Sequence, residues 1–352
     1  MHAGSLRRLP ILLIAAALLA PGRQAAAQDV MALVRADRWT EADAEAAQYV
    51  DPVARKLVTY YRLLAPGAAS TTEIAAFIAA SPDWPFQASL ARRRDEALAN
   101  EPDDGTVVAQ CDATPPQTGP ALAHCADAYG RLGRTTNATA MARRAWAVFP
   151  ADPQAEAGFM QRFAPMITLA DEWRRFDRLA WTDTQAAARQ ELRLAPADHA
   201  RAEARLALRR DDATAPALVA ALPAAQRTDP AMMLEQARYL RRANQDDAAL
   251  MLWISAGTAA ERAAPPEHRG AFWEERNILI RHRLRDGDAE GAYQLADGHV
   301  QTIGEALVDA EFLAGFVALR KLNDPKNAAR HFQTLADASH AAITQGRAHY
   351  WL

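Results

Sequence analysis

Much that would announce a chemistry is missing from this chain. It has only two cysteines in 352 residues, Cys111 and Cys125. His124 is the one histidine close to them and sits in ordinary helical text, so a thiolate metal site or a cysteine nucleophile finds little support. The nine histidines show no H-E-x-x-H or related ligand spacing, and no glycine-rich phosphate loop occurs. No metal or cofactor is expected. Carboxylates stand side by side at Asp171-Glu172 and Glu274-Glu275, but neighbours on a helix point about 100° apart. Such pairs cannot flank one substrate bond. The formal net charge is −3, which argues against general nucleic-acid binding. No segment alternates polar and apolar residues over a useful length, so strands are not expected.

Long hydrophobic runs are also lacking. The one apolar run, Leu9 to Ala20, is about a dozen residues, short of the ~20 that a membrane-spanning helix needs. It follows Arg7 and Arg8 and precedes the small-residue site Ala25 to Ala27. This is the pattern of a secretory signal peptide, residues 1–27, cleaved before Gln28. No cysteine follows the run, so no lipid anchor is expected. The mature chain, residues 28–352, is expected to be exported, soluble and more acidic than the precursor. In an oxidising compartment Cys111 and Cys125 either pair across "DATPPQTGPALAH" or remain as thiols; a pairing would add about 3 kcal/mol.

What the chain has is helical text broken at short intervals. In "AEFLAGFVALRKLNDPKNAARHF", Phe312, Leu313, Phe316, Val317, Leu319 and Leu322 share one broad helical face. Asp324 then suits an N-cap and Pro325 the first helical position. Ala328, Ala329, Phe332 and Leu335 point inward from a second helix, which makes an αα-hairpin. The pattern recurs, with breaks expected at Asp37–Trp39, Pro66-Gly67, Gly133, Asp211-Asp212, Asn244–Asp247 and Asp286–Asp288. The later turns are roughly 40 residues apart, the spacing of a helical solenoid. The expected fold is an all-α superhelix of repeated αα-hairpins without an evident domain boundary.

Several local patterns resemble sites. "DGDAEGAYQLAD" places Asp286, Asp288, Glu290, Gly291 and Asp297 like a calcium loop. Helical spacing of Ala289, Ala292, Tyr293 and Ala296 favours a plain hairpin turn. Asn137 opens a glycosylation sequon, read as an exposed hairpin start. Trp173, Trp181, Tyr239, Trp253, Trp273, Tyr293 and Trp351 are read as packing residues rather than a sugar-stacking platform. His299 and His331 are placed near hairpin seams. The arginine runs Arg92 to Arg94, Arg174-Arg175 and Arg241-Arg242 are read as solvated helix faces rather than contacts to acidic glycan peptides.

The closing text, "GAYQLADGH", "DAEFLAGFVALRKLNDPKNAARHF" and "ITQGRAHYWL", resembles the end of the N-terminal helical domain of soluble lytic murein transglycosylases. "AMMLEQARYLRRANQDDAALMLW" and "WEERNILIRHRL" are similar to that family's preceding hairpins. The resemblance covers Asp171 to Leu352 well and the first half loosely. It implies a right-handed α-superhelix curved as a ring or U, in the periplasm. It also implies a C-terminal lysozyme-like domain that cleaves the MurNAc–GlcNAc bond to a 1,6-anhydro product. The implied partners are glycan strands and, beyond them, cell-wall synthesis proteins.

That family's catalytic glutamate sits in a Glu-Ser motif. Here Ser5, Ser70, Ser81, Ser89, Ser255 and Ser339 all lack a preceding glutamate, and no "GLMQ" segment occurs. No catalytic residue is therefore assigned within the chain, and the chemistry is expected beyond Leu352. The alternative is a stand-alone periplasmic solenoid, similar to tetratricopeptide-type scaffolds, that binds protein partners.

Overall fold

The computed structural model describes residues 30–352; the expected signal peptide, residues 1–27, lies outside them. Among the described residues every regular element is helical. The chain divides into two compact units. One reaches to Pro150 and includes Glu156–Met166; the other comprises Ala151–Ala155 and Ile167–Leu352.

The first unit begins with helical residues 30–35 (α1). It continues through α2 (Trp39–Ala46), α3 (Pro52–Leu64), α4 (Thr71–Ala80), α5 (Gln87–Leu98), α6 (Asp104–Ala113), α7 (Gly119–Arg131) and α8 (Thr135–Val148). It also holds most of α9 (Pro153–Phe163). The second unit runs through α10 (Leu169–Thr182), α11 (Thr184–Glu191), α12 (Pro196–Arg209), α13 (Ala215–Ala221), α14 (Ala224–Arg227) and α15 (Pro230–Arg242). Next come α16 (Asp246–Leu252), a π turn at Trp253–Gly257 and α17 (Thr258–Ala263). It ends with α18 (Arg269–Arg285), α19 (Ala289–Asp297), α20 (Gly304–Arg320), α21 (Pro325–Ala338) and α22 (Ala342–Trp351).

The turns repeat one device. Asp37, Gly133, Asp211, Asn244, Gly287 and Asn323 all adopt positive φ, the left-handed conformation that ends a helix and is easiest for Gly, Asn and Asp. After it the chain folds back on a backbone bond that spans the turn. Examples are Arg134 N–H to Tyr129 O (2.8 Å), Gln245 N–H to Leu240 O (2.8 Å) and Asp288 N–H to Arg283 O (2.9 Å). Those bonds occupy carbonyls that the helix end would leave unpaired. The next helix is often started by a carboxylate. Asp324 accepts from Asn327 N–H at 3.0 Å with Pro325 behind it. Asp229 does the same for α15, and Ser70 with Glu73 forms a capping box on α4.

Small residues set the helix separations. A Cβ at Gly315 would lie 2.7 Å from the Phe332 ring. Together with buried Ala314, Ala318 and Ala328, it lets α20 and α21 approach closely around that aromatic. The tryptophans singled out in the sequence serve packing. Trp253 and Trp273 are buried, while Trp173, Trp181 and Trp351 are half-buried against core clusters.

The arginine runs match the expectation of solvated faces at Arg92, Arg174 and Arg242, which are exposed, and correct it at Arg94, Arg175 and Arg241. Arg94 is buried and donates to Asp95 at 2.7 Å. Arg175 is wholly buried, and Arg241 is ion-paired to buried Glu275. Helical periodicity placed these residues beside polar neighbours, but the charges of Arg94 and Arg241 meet the carboxylates of Asp95 and Glu275 inside the fold.

Candidate functional site

In the second unit the opening helices of successive hairpins pack on one another: α12 on α15, α15 on α18, and α18 on α20. Past the start of α20 this row leaves a groove of about 840 Å³. One stripe of α18 forms a wall: Gly270, Trp273, Glu274, Asn277, Ile278 and Arg281, spaced three and four residues apart as one helical face requires. Glu305, Ala306, Val308 and Asp309 of α20 stand opposite, and Arg347 of α22 closes one side.

The floor is prearranged. The Asp309 carboxylate accepts the Trp273 indole N–H at 3.0 Å and the Asn277 amide at 2.5 Å. Arg281 Nε donates to the Asn277 carbonyl oxygen at 2.7 Å. The Arg347 guanidinium carbon sits over the Phe312 ring, 3.1 Å from its centroid, where the ring face attracts the cation. Glu274 and Glu305 are exposed on the walls. The groove therefore offers carboxylates, guanidinium groups and an apolar side chain, Ile278, to one ligand.

Behind the floor lie two buried charge networks. In the first, Arg276 Nε donates to Glu261 at 2.9 Å, and its other nitrogens reach Leu295 O (3.1 Å) and Gly298 O (2.9 Å). The second Glu261 oxygen accepts Val300 N–H and the Gln301 amide. The Arg276 guanidinium stacks on Trp253 at 4.3 Å. Trp253 opens the π turn, and a Cβ at Gly257 would meet its ring at 2.3 Å. Together these contacts pin residues 298–301 and so fix His299.

The second network joins α19, α20 and α21. His299 Nδ1 accepts Gln301 N–H at 3.1 Å, and its Nε2 lies 3.4 Å from Glu311 Oε1. His331 Nδ1 meets the other Glu311 oxygen at 2.7 Å. Trp273 presents its ring edge-on to His299, 5.9 Å between centroids. Burial alone would raise the Glu311 pKa, but hydrogen bonds from His299 and His331 outweigh it and hold the carboxyl down at about 2. Asp297 is also lowered to about 2, first by its bond to His331 and then by Arg330. Burial works against charging His331, yet its bonds to Asp297 and Glu311 raise its pKa overall.

The residues singled out by sequence fall in several places. Cys111 and Cys125 form a disulfide between α6 and α7, Cα–Cα 6.3 Å. The calcium-like loop folds as a hairpin turn: Asp288 caps α19 through Gly291 N–H and pairs with Arg283, while Asp297 pairs with Arg330. Asn137 is half-buried in the first turn of α8. Asp171 caps α10, and Glu172 accepts from Gln190 and Arg193. Glu275 is buried, whereas Glu274 faces the groove. His299 and His331 do sit at hairpin seams.

The groove itself, and the Glu261–Arg276 pair behind it, escaped the sequence reading. Their one visible signal was the α18 text "WEERNILIRHRL", where charged residues occupy both inward and outward positions. Comparison with models of known families, with characterised proteins and with solved structures finds no match for this chain.

Proposed function

We propose that this chain is the helical frame of a periplasmic lytic transglycosylase, which holds glycan strands while the bond-breaking domain lies outside it. In this reading the hairpins of each unit stack as a right-handed α-solenoid. The groove between α18, α20 and α22 then receives the peptide-bearing glycan. One observation carries the reading. The segments whose text resembles that family fold as consecutive hairpins, and their opening helices line a groove with charges of both signs. Peptidoglycan stems bring free amines and carboxylates, which suit Glu274 and Glu305 on one hand and Arg281 and Arg347 on the other. The Cys111–Cys125 bond suits an oxidising compartment.

The test is co-sedimentation of the mature chain with purified sacculi, followed by analysis of the released fragments. We expect binding that weakens severalfold in Arg281→Ala/Arg347→Ala, and no anhydro-muropeptides. Failure to sediment would remove the glycan reading. Release of anhydro products would overturn the placement of the chemistry elsewhere. A second reading, a scaffold for protein partners, is favoured by the strongly exposed side chains of Ile303, Ile343 and Tyr350; it predicts no affinity for sacculi.

A further inference from the structure

His331 has an unusual set of neighbours for a side chain that is almost wholly buried. Its Nδ1 is committed to Glu311 of α20. Its Nε2 faces groups of opposite demand: Asp297 Oδ1 of α19 at 3.3 Å, the Tyr293 hydroxyl of α19 at 3.3 Å, and Arg330 Nη2 of its own helix at 3.0 Å. A protonated Nε2 donates to Asp297. A neutral Nε2 offers a lone pair to Tyr293 or Arg330, and the bond to Asp297 is lost. The remaining charged or titratable neighbours are His299, on the far side of Glu311, and Asp324 at the cap of α21, which acts electrostatically on Tyr293. The imidazole thus has partners in both states, but only the charged state pairs with the Asp297 carboxylate of α19 and the Glu311 carboxylate of α20 at once, adding to the Arg330–Asp297 pair that joins α21 to α19 in either state.

What α21 carries matters for the groove. Phe332 of α21 stacks on Trp351 of α22, 5.9 Å between centroids. Gln345 of α22 donates to the Ala336 and Ser339 carbonyls at the end of α21. That attachment brings Arg347 onto Phe312 at the side of the groove. We infer that a proton on His331 is a latch that holds the α21–α22 hairpin, and with it the Arg347 wall of the groove, against α19 and α20. The inference is independent of what the groove binds.

The sign follows from linkage. His331 is raised above its ordinary 6.5 in the folded hairpin, so its contribution is complete below about 6.5 and is lost as pH climbs through the raised value. Glu311 and Asp297 are depressed to about 2, so theirs is present above the ordinary carboxylate range and lost on strong acidification. The latch is closed in mildly acidic medium and loosens toward alkaline pH. Within the window where the closed form holds a proton that the open form lacks, the opening equilibrium rises by up to about tenfold per pH unit.

The experiment is hydrogen exchange of α21 and α22 backbone amides in the full mature chain at pH 6, 7 and 8, corrected for the intrinsic pH dependence of exchange. Imidazole titration of His331 is followed in parallel by NMR. We expect opening of α21–α22 to increase severalfold from pH 6 to pH 8 while α12 and α15 stay unchanged, with His331 titrating above 6.5. Equal protection of α21–α22 at pH 6 and pH 8 overturns the latch. In Glu311→Gln the hairpin is expected to open more at pH 6 and to lose most of its pH slope; a wild-type slope in that variant overturns it. Should the variant fail to fold, the wild-type comparison still decides.

Discussion

The two units solve the same packing problem with different materials. The first buries few charges: among its described residues the buried charged ones are Arg94 and Asp95. It relies on the Cys111–Cys125 bond and on aromatic clusters, with Tyr60, Phe77 and Trp84 in one and Trp146, Phe149, Phe159 and Phe163 in another. The second buries Asp171, Glu172, Arg175, Arg205, Glu235, Glu261, Glu275, Arg276, Glu311 and His331. A disulfide and stacked rings tolerate changes of pH and salt. Buried ion pairs tie named helices in one register but become costly once a partner is lost. The open groove lies in the unit that uses ions, where the same charged helices serve both the interior and the ligand face.

The largest effect expected from breaking this contrast is Glu261→Ala. Glu261 and Arg276 are almost wholly buried, at 0% and 1% side-chain exposure. Removing the carboxylate strands a guanidinium in the interior and should cost about 3–5 kcal/mol, read as a lower urea midpoint for the second unit. Arg276 also satisfies the Leu295 and Gly298 carbonyls. Replacing both partners by apolar residues should therefore not restore full stability. A loss under about 1 kcal/mol for Glu261→Ala would mean that the pair is not sustained in solution. The matching change in the first unit is Cys111→Ser/Cys125→Ser. The bridged cysteines are 14 residues apart, and a loop of that size is worth about 3 kcal/mol. Reduction of the wild type should give the same drop in amide protection across α6 and α7. No change on reduction would refute a bridge that carries this load.

The contrast was only half legible in the sequence. The hairpin turns could be read because each is written in local terms: a Gly, Asn or Asp where φ must be positive, then an acidic cap or Pro. "NDP" at 323–325 and "DGD" at 286–288 are such cases. The packing role of Trp253 and Phe332 followed from spacing alone. What stayed hidden was the pairing of charges that are distant in sequence. Nothing local links Glu261 to Arg276, Arg241 to Glu275 or Glu311 to His331. A helical pattern marks a residue as charged without saying whether its face meets water or another helix. For the same reason Arg94 and Arg175 were read outward. The groove depends on those long-range pairings, so it stayed hidden with them.

The smallest predicted effect sharpens the comparison at the backbone. Among the described residues five that are not glycine adopt positive φ, and four of them are Asp or Asn: Asp37, Asp211, Asn244 and Asn323. The fifth is Phe86 in the first unit, at φ 56° and ψ 34°, directly before α5. The residue is 69% exposed, so packing does little to offset a conformation that costs an ordinary L-residue roughly 1–2 kcal/mol. Glycine removes that cost but makes the unfolded chain freer by about 0.5–1 kcal/mol. Phe86→Gly should therefore stabilise the first unit by about 0.5–1 kcal/mol. Asn244→Gly in the second unit should change stability by less than about 0.5 kcal/mol, because Asn already tolerates the left-handed region. Both are read as shifts in urea midpoint at constant slope. If Phe86→Gly destabilises instead, the ring is holding the start of α5 by contact, and the first unit depends on its aromatics even at the surface.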